Sequence, residues 1–122
     1  MKMLKRKIDD FIKEREELIR NMSNYCGHDA KRFFHLDSQI YKDGALTVKI
    51  KELLGLVASL ALRCDDCIDY HIINCYEQGI TDKELAEALT IGLVVGGAIT
   101  IPHLRRAYAT WDELKKGVQD AI

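Results

Sequence analysis

Within eight residues the stretch Cys64-Asp65-Asp66-Cys67-Ile68-Asp69-Tyr70-His71 brings together two thiols and an imidazole. Two cysteines three positions apart can close a disulfide within one helical turn, and a histidine four residues after the second thiol lies one turn above it on the same face. A cysteine attacks as its thiolate, and the thiol pKa falls beside a helix N-terminus, a cation or a histidine. Cys67 has His71 one turn away to take or return a proton, a helix N-terminus just before it and Arg63 nearby in sequence. Asp65 and Asp66 oppose the effect, because adjacent carboxylates disfavour a thiolate. The chemistry outlined is that of a redox-active dithiol.

At about 100° per residue, Cys64, Cys67, His71 and Cys75 fall within a narrow arc, with Ile68 and Ile72 alongside. Glu52, on the preceding apolar segment, shares a strip with Val48, Leu56 and Ser59. Its carboxylate either points into the protein, where it could orient the imidazole as the third member of a relay, or is solvated and paired with a lysine; periodicity does not separate the two. Two other readings compete. Cys64, Cys67 and His71, with Cys75 or His103 as a fourth ligand, have the donor types of a zinc site, although ligands drawn from one helix suit a tetrahedron poorly. Alternatively the chain is a non-catalytic helical assembly module whose cysteines are buried filler, the reading favoured for Cys75. Cys26 and His28 read as an incidental pair at a helix break, and His103 as a structural or surface residue.

Helices must position these groups. Apolar residues from Leu4 through Ile8, Phe11, Ile12, Leu18, Ile19 and Met22 recur at three- and four-residue steps and predict an amphipathic helix from Lys5 to about Tyr25. The heptad-like series Leu4, Phe11, Leu18 and Tyr25 suits an ordinary surface helix or a dimerising one. Cys26-Gly27-His28 breaks it. Asp29 then reads as the cap of a second helix that stops at Asp43-Gly44. Thr47 caps a third, apolar on every side from Leu53 to Leu62 and therefore expected to be central. The fourth runs from near Cys64 to Gln78-Gly79, with Asp65, Asp66 and Asp69 complementing its dipole. Thr81 and Glu84 form a capping box that opens the fifth. Gly96-Gly97 interrupts it, and the last helix extends from Thr100 or Pro102 to Lys116-Gly117. Gly92, Gly96 and Gly97 leave room for a close backbone approach.

With 122 residues, 48% of them hydrophobic and a single proline, the chain is expected to be one all-α domain spanning 1–122: a helical bundle of about six helices, with N-terminal helices in 1–44 and the redox motif in 45–117. Eighteen basic residues balance nineteen acidic ones, so the net charge of -1 gives no reason to expect nucleic acid or a membrane surface as partner. The apolar runs fall short of the roughly 18 to 20 residues of a membrane span. Asp9 and Asp10 stand where a signal peptide would be apolar, so a cytoplasmic location is expected, where Cys-x-x-Cys reads as redox or metal-binding.

The order Glu52, Cys64, Cys67, His71, followed by Gly79-Ile80-Thr81-Asp82 with Glu84 and by Gly96-Gly97, resembles the alkylhydroperoxidase D-like proteins of the carboxymuconolactone decarboxylase superfamily. The resemblance covers about Leu46 to Leu114. It implies an all-helical subunit that forms homo-oligomers, often trimers or hexamers, around a buried dithiol, and an oxidoreductase that needs no bound cofactor or metal. Carried over, Cys67 would be the peroxidatic thiol, Cys64 the resolving thiol, and Glu52 and His71 the proton relay, with a peroxide as substrate and an external dithiol as reductant. The chain departs from the pattern at Asp66, where the best-studied members place a histidine, and its N-terminal helix is not matched by this series of motifs. Decarboxylase members lack the cysteine pair, which disfavours lactone decarboxylation here.

Overall fold

A computed structural model of the chain describes residues 2–121, and side chains within 7–117. Leu4 of the heptad-like series therefore lies outside the described side chains, as do the basic residues Lys2, Lys5 and Arg6. Among the described residues there are six α-helices, one 3-10 turn and no strand: α1 (Lys2–Cys26), α2 (His28–Ile40), α3 (Val48–Ala61), α4 (Asp65–Glu77), α5 (Asp82–Gly96), the turn Ala98–Thr100, and α6 (Ile101–Ala121).

α3 packs against α4 and α5, α4 also packs against α6, and α1 lies across α6 with α2 folded back on it. The core at these crossings consists of Leu56 and Leu60 from α3, Ile68, Ile72 and Cys75 from α4, Leu85 and Leu89 from α5, and Ala107 and Trp111 from α6. The polar end of Trp111 is satisfied, its indole N–H donating to Asp82 Oδ1 at 2.8 Å while Lys115 Nζ donates to Oδ2 at 2.7 Å. Those bonds tie the start of α5 to α6. The capping box at Thr81 and Glu84 is formed in both directions, as the sequence leads one to expect. At Gly92 a Cβ would come within 2.7 Å of Leu60 Cδ2, so the α3 and α5 crossing uses the missing side chain.

Three boundaries differ from expectation. Asp29 does not cap α2: Gly27, at φ 62°, occupies that position without a side-chain bond, and Asp29 stands in the first turn. α2 ends at Ile40 rather than at Asp43-Gly44, because that segment serves the next helix. Asp43 Oδ1 accepts the Val48 amide at 2.8 Å, and the Gly44 amide donates to Leu46 O at 2.9 Å. Finally, α6 runs through Gly117 to Ala121, since one glycine weakens a helix by about 1 kcal/mol without stopping it.

α3 is central, but not on every side. Leu56 and Leu60 are fully enclosed, whereas Leu54 and Leu62 on its other face are 55% and 77% exposed. Ile91, Val94 and Val95 of α5 are exposed as well. No helix among the described residues is long and apolar enough to cross a membrane.

Candidate redox site

The first thiol sits at a joint. α3 closes with the Arg63 amide bonded to Leu60 O at 3.0 Å and the Cys64 amide to Ser59 O at 3.1 Å, the double bond pattern of a Schellman ending. The left-handed position is held by Arg63 at φ 59° where glycine is usual. Cys64 thus terminates α3 and at once becomes the N-cap of α4, its sulfur accepting the Cys67 amide at 3.3 Å. The two sulfurs form a disulfide, with the Cα atoms 5.3 Å apart. Cys64 is half-buried at the joint, and Cys67, inside the first turn, is exposed. The narrow arc expected for four residues therefore holds only from Cys67 onward, because Cys64 lies outside the helix.

The second component lies one turn deeper. His71 Nδ1 donates to Glu52 Oε1 at 2.8 Å across α3 and α4, and both residues are buried, at 9% and 5% exposure. Of the two readings for Glu52, the structure selects the inward one; no lysine pairs with it among the described residues. Sequence reasoning missed the aromatic clamp around the imidazole. Tyr41 lies on one side with ring centroids 5.5 Å apart, and Tyr70 meets it edge-on at 5.3 Å. Gly55 makes room for this group: a Cβ there would fall 2.5 Å from the Tyr41 hydroxyl, 2.7 Å from His71 Cε1 and 2.9 Å from Nε2. Burial, followed by the charge of Glu52, raises the Tyr41 hydroxyl pKa. Burial and the same carboxylate push the Cys75 thiol up to about 12, and Cys75 is fully enclosed, so it is core as expected.

Cys67 and His71 share the wall of a cleft of about 470 Å³ between α1, α2 and α4. Leu18, Ile19, Met22, Phe33 and Phe34 form most of its apolar lining, and Asp37 and Asp66 stand in the wall as well. Arg15 also lines it, its guanidinium 3.9 Å from the centre of the Tyr70 ring. The N-terminal helices thus supply the far side of the cleft, a contribution invisible in the motif itself. Its volume lies within the range of small-molecule sites.

His103 is turned to the first turn of α4. Its Nδ1 donates to Asp65 Oδ1 at 2.6 Å, and Arg106 Nε donates to Oδ2 at 3.0 Å. Burial would raise the Asp65 carboxyl, but these two bonds hold it below the usual carboxylate range. One of the two charges that oppose a thiolate is therefore turned to α6 and compensated there. Arg106 was not anticipated, since nothing in the periodicity of α6 marks it. Among the described residues no group of three or more His, Cys, Asp and Glu side chains is placed to hold a metal ion.

The chain is thus an all-helical protein that carries a Cys-x-x-Cys disulfide at the start of one helix, beside a buried Glu-His pair. The model of the carboxymuconolactone decarboxylase family matches residues 28–110, and the chain belongs to that family. A crystal structure of a family member from Thermotoga maritima, described with a suggested part in the antioxidative response, shares 51% identity at a TM-score of 0.85, covering 92% of this chain and 95% of that one. An apo family member from Legionella pneumophila is 25% identical at a TM-score of 0.74, covering 90% and 96%. Among curated sequences, an uncharacterised protein of Cupriavidus necator is 32% identical over 73 residues, which span 60% of this chain and 65% of the relative. An uncharacterised protein from the cox locus of Paracoccus denitrificans is 26% identical over 82 residues, 67% of this chain and 74% of its own length.

Proposed function

We propose that the protein is a thiol-dependent peroxidase or disulfide oxidoreductase acting through Cys67, Cys64, His71 and Glu52. The observation that carries this reading is the shared cleft wall: the exposed cysteine of the disulfide, Cys67, and the imidazole held by Glu52 border the same space. In the reduced protein His71 takes the proton of the Cys67 thiol, and the thiolate attacks the terminal oxygen of a hydroperoxide. The O–O bond breaks, Cys67 becomes a sulfenic acid, and the departing alkoxide leaves as an alcohol with the proton returned by His71. The Cys64 thiol then attacks the sulfenic sulfur, releasing water and closing the disulfide. An external dithiol reopens it by exchange, becoming a disulfide itself. Glu52 fixes the imidazole by its bond to Nδ1, which leaves Nε2 for the proton.

The antioxidative role suggested for the Thermotoga relative accords with this reading, and such dithiol cycling suits a reducing cytoplasm. We also propose that the chain works as a homo-oligomer, because Leu54, Leu62, Ile91, Val94 and Val95 form exposed apolar surface on neighbouring helices. The test is peroxide consumption driven by a dithiol reductant in the intact protein, in Cys67→Ser and in Cys64→Ser. Loss of turnover is expected in both variants, with Cys64→Ser retaining a single stoichiometric oxidation. Equal rates for Cys67→Ser and the intact protein would refute the assignment.

A further inference from the structure

A second cavity, of about 240 Å³, lies between α1, α4 and α6. Asp69 in its wall is two residues beyond Cys67, about 200° around α4, so this cavity opens on a different face from the redox cleft. Ile8, Phe11 and Ile73 supply apolar wall, and Asp69 and Glu113 supply two carboxyl groups. Glu113 is only 6% exposed, and its Oε1 is buried without a hydrogen-bond partner among the described residues. Such an atom is expensive to leave unpaired, the more so when charged. Among the described residues Asp69 accepts one bond, from the Thr110 hydroxyl at 2.8 Å, which leaves further acceptor sites.

The cation of the wall fixed in place is already engaged, since Arg106 is bonded to Asp65 at 3.0 Å. Lys7 is exposed on α1 and its charge only partly offsets the burial that raises the Glu113 carboxyl; burial raises Asp69 too. Among the described residues no donor bonds both acids at once. An ammonium group, with three hydrogens and a positive charge, has that capacity, and an anion would meet two carboxylates. A metal ion is poorly served, because no group of three ligands is assembled among the described residues. The volume is below the roughly 300 Å³ at which drug-sized sites begin, so the guest is small.

We propose that this cavity binds a small primary amine with an apolar body, its ammonium set between Asp69 and Glu113 and its hydrocarbon against Ile8, Phe11 and Ile73. The test is an NMR titration of the intact protein with benzylamine, with its neutral analogue benzyl alcohol and with benzoate. Benzylamine is expected to saturate and to shift amides of α1, α4 and α6 around the cavity. Benzyl alcohol should bind at least about tenfold more weakly, benzoate not at all, and Glu113→Gln should weaken the amine by about tenfold. Asp69→Asn serves if Glu113→Gln does not fold, and the comparison of amine with alcohol needs no variant. Alcohol binding as tight as the amine, shifts confined to the Cys67 cleft, no saturable binding, or unchanged affinity in a folded Glu113→Gln would each overturn the proposal.

Discussion

His71 gives the hydrogen of its Nδ1 to Glu52 Oε1 at 2.8 Å, across two helices and nineteen positions of sequence, with both side chains almost shut off from water. The bond does two things at once. It satisfies a carboxylate that would otherwise be costly inside α3, and it fixes the imidazole with Nε2 as the remaining exchange position.

Glu52→Gln keeps the volume and an acceptor but removes the charge that faces the imidazole. Dithiol-driven peroxide turnover should fall by about 10² to 10⁴, the usual worth of a positioned acid-base group, while helicity by circular dichroism stays unchanged. An unaltered rate would remove Glu52 from the relay. The more drastic Glu52→Ala should also lower the melting temperature, because His71 Nδ1 then has no partner.

Gly55→Ala puts a methyl group where the Tyr41 hydroxyl and His71 ring already stand, 2.5 to 2.9 Å from its position. Overpacking of this kind costs about 1–3 kcal/mol, and the displaced imidazole should lower turnover as well. Gly44→Ala is the control, since its nearest neighbour is the flexible end of Lys51 at 3.5 Å. Urea unfolding of both variants checks the contrast, which fails if the two lose equal stability.

The bonds from His103 and Arg106 to Asp65 predict a pH effect of definite sign. The folded-state pKa of Asp65 is depressed, so its contribution is present above the unfolded value near 3.9 and is lost as pH falls through the lower folded value. The carboxylate is 45% exposed, so solvent screening keeps the contribution small. Thermal melts between about pH 2 and 5 should show Arg106→Ala losing less stability on acidification than the intact protein. Parallel curves would mean the ion pair contributes nothing.

Cys75 should be chemically silent. With its thiol pushed up to about 12 and the residue fully enclosed, its thiolate fraction at pH 8 is about one in ten thousand. Iodoacetamide on the reduced native protein should label Cys67 and the exposed Cys26 well before Cys75, which should react only after denaturation. Mass spectrometry of the peptides reads the order. Labelling of Cys75 at the rate of Cys26 would contradict the burial described.

What the sequence determined by itself is local. Thr47, the Thr81 and Glu84 box and Gly79 mark helix ends because capping bonds span three or four residues, and the Cys64 and Cys67 pair is legible because one turn of chain sets its separation. The family resemblance was legible for the same reason, as a series of such spacings. The tertiary structure decided which way Glu52 points, since a strip on a helix face is defined by spacing but its neighbour is not. It alone brought Tyr41 over His71 and the α1 and α2 side chains over Cys67. It also placed His103 on Asp65, thirty-eight positions away, and left Asp43 to accept the Val48 amide at the start of α3 where a longer α2 was expected. These contacts depend on how helices cross, and crossing geometry is set by the packing of Leu56, Leu60, Ile72 and Leu89 at the centre rather than by any pattern within a single helix.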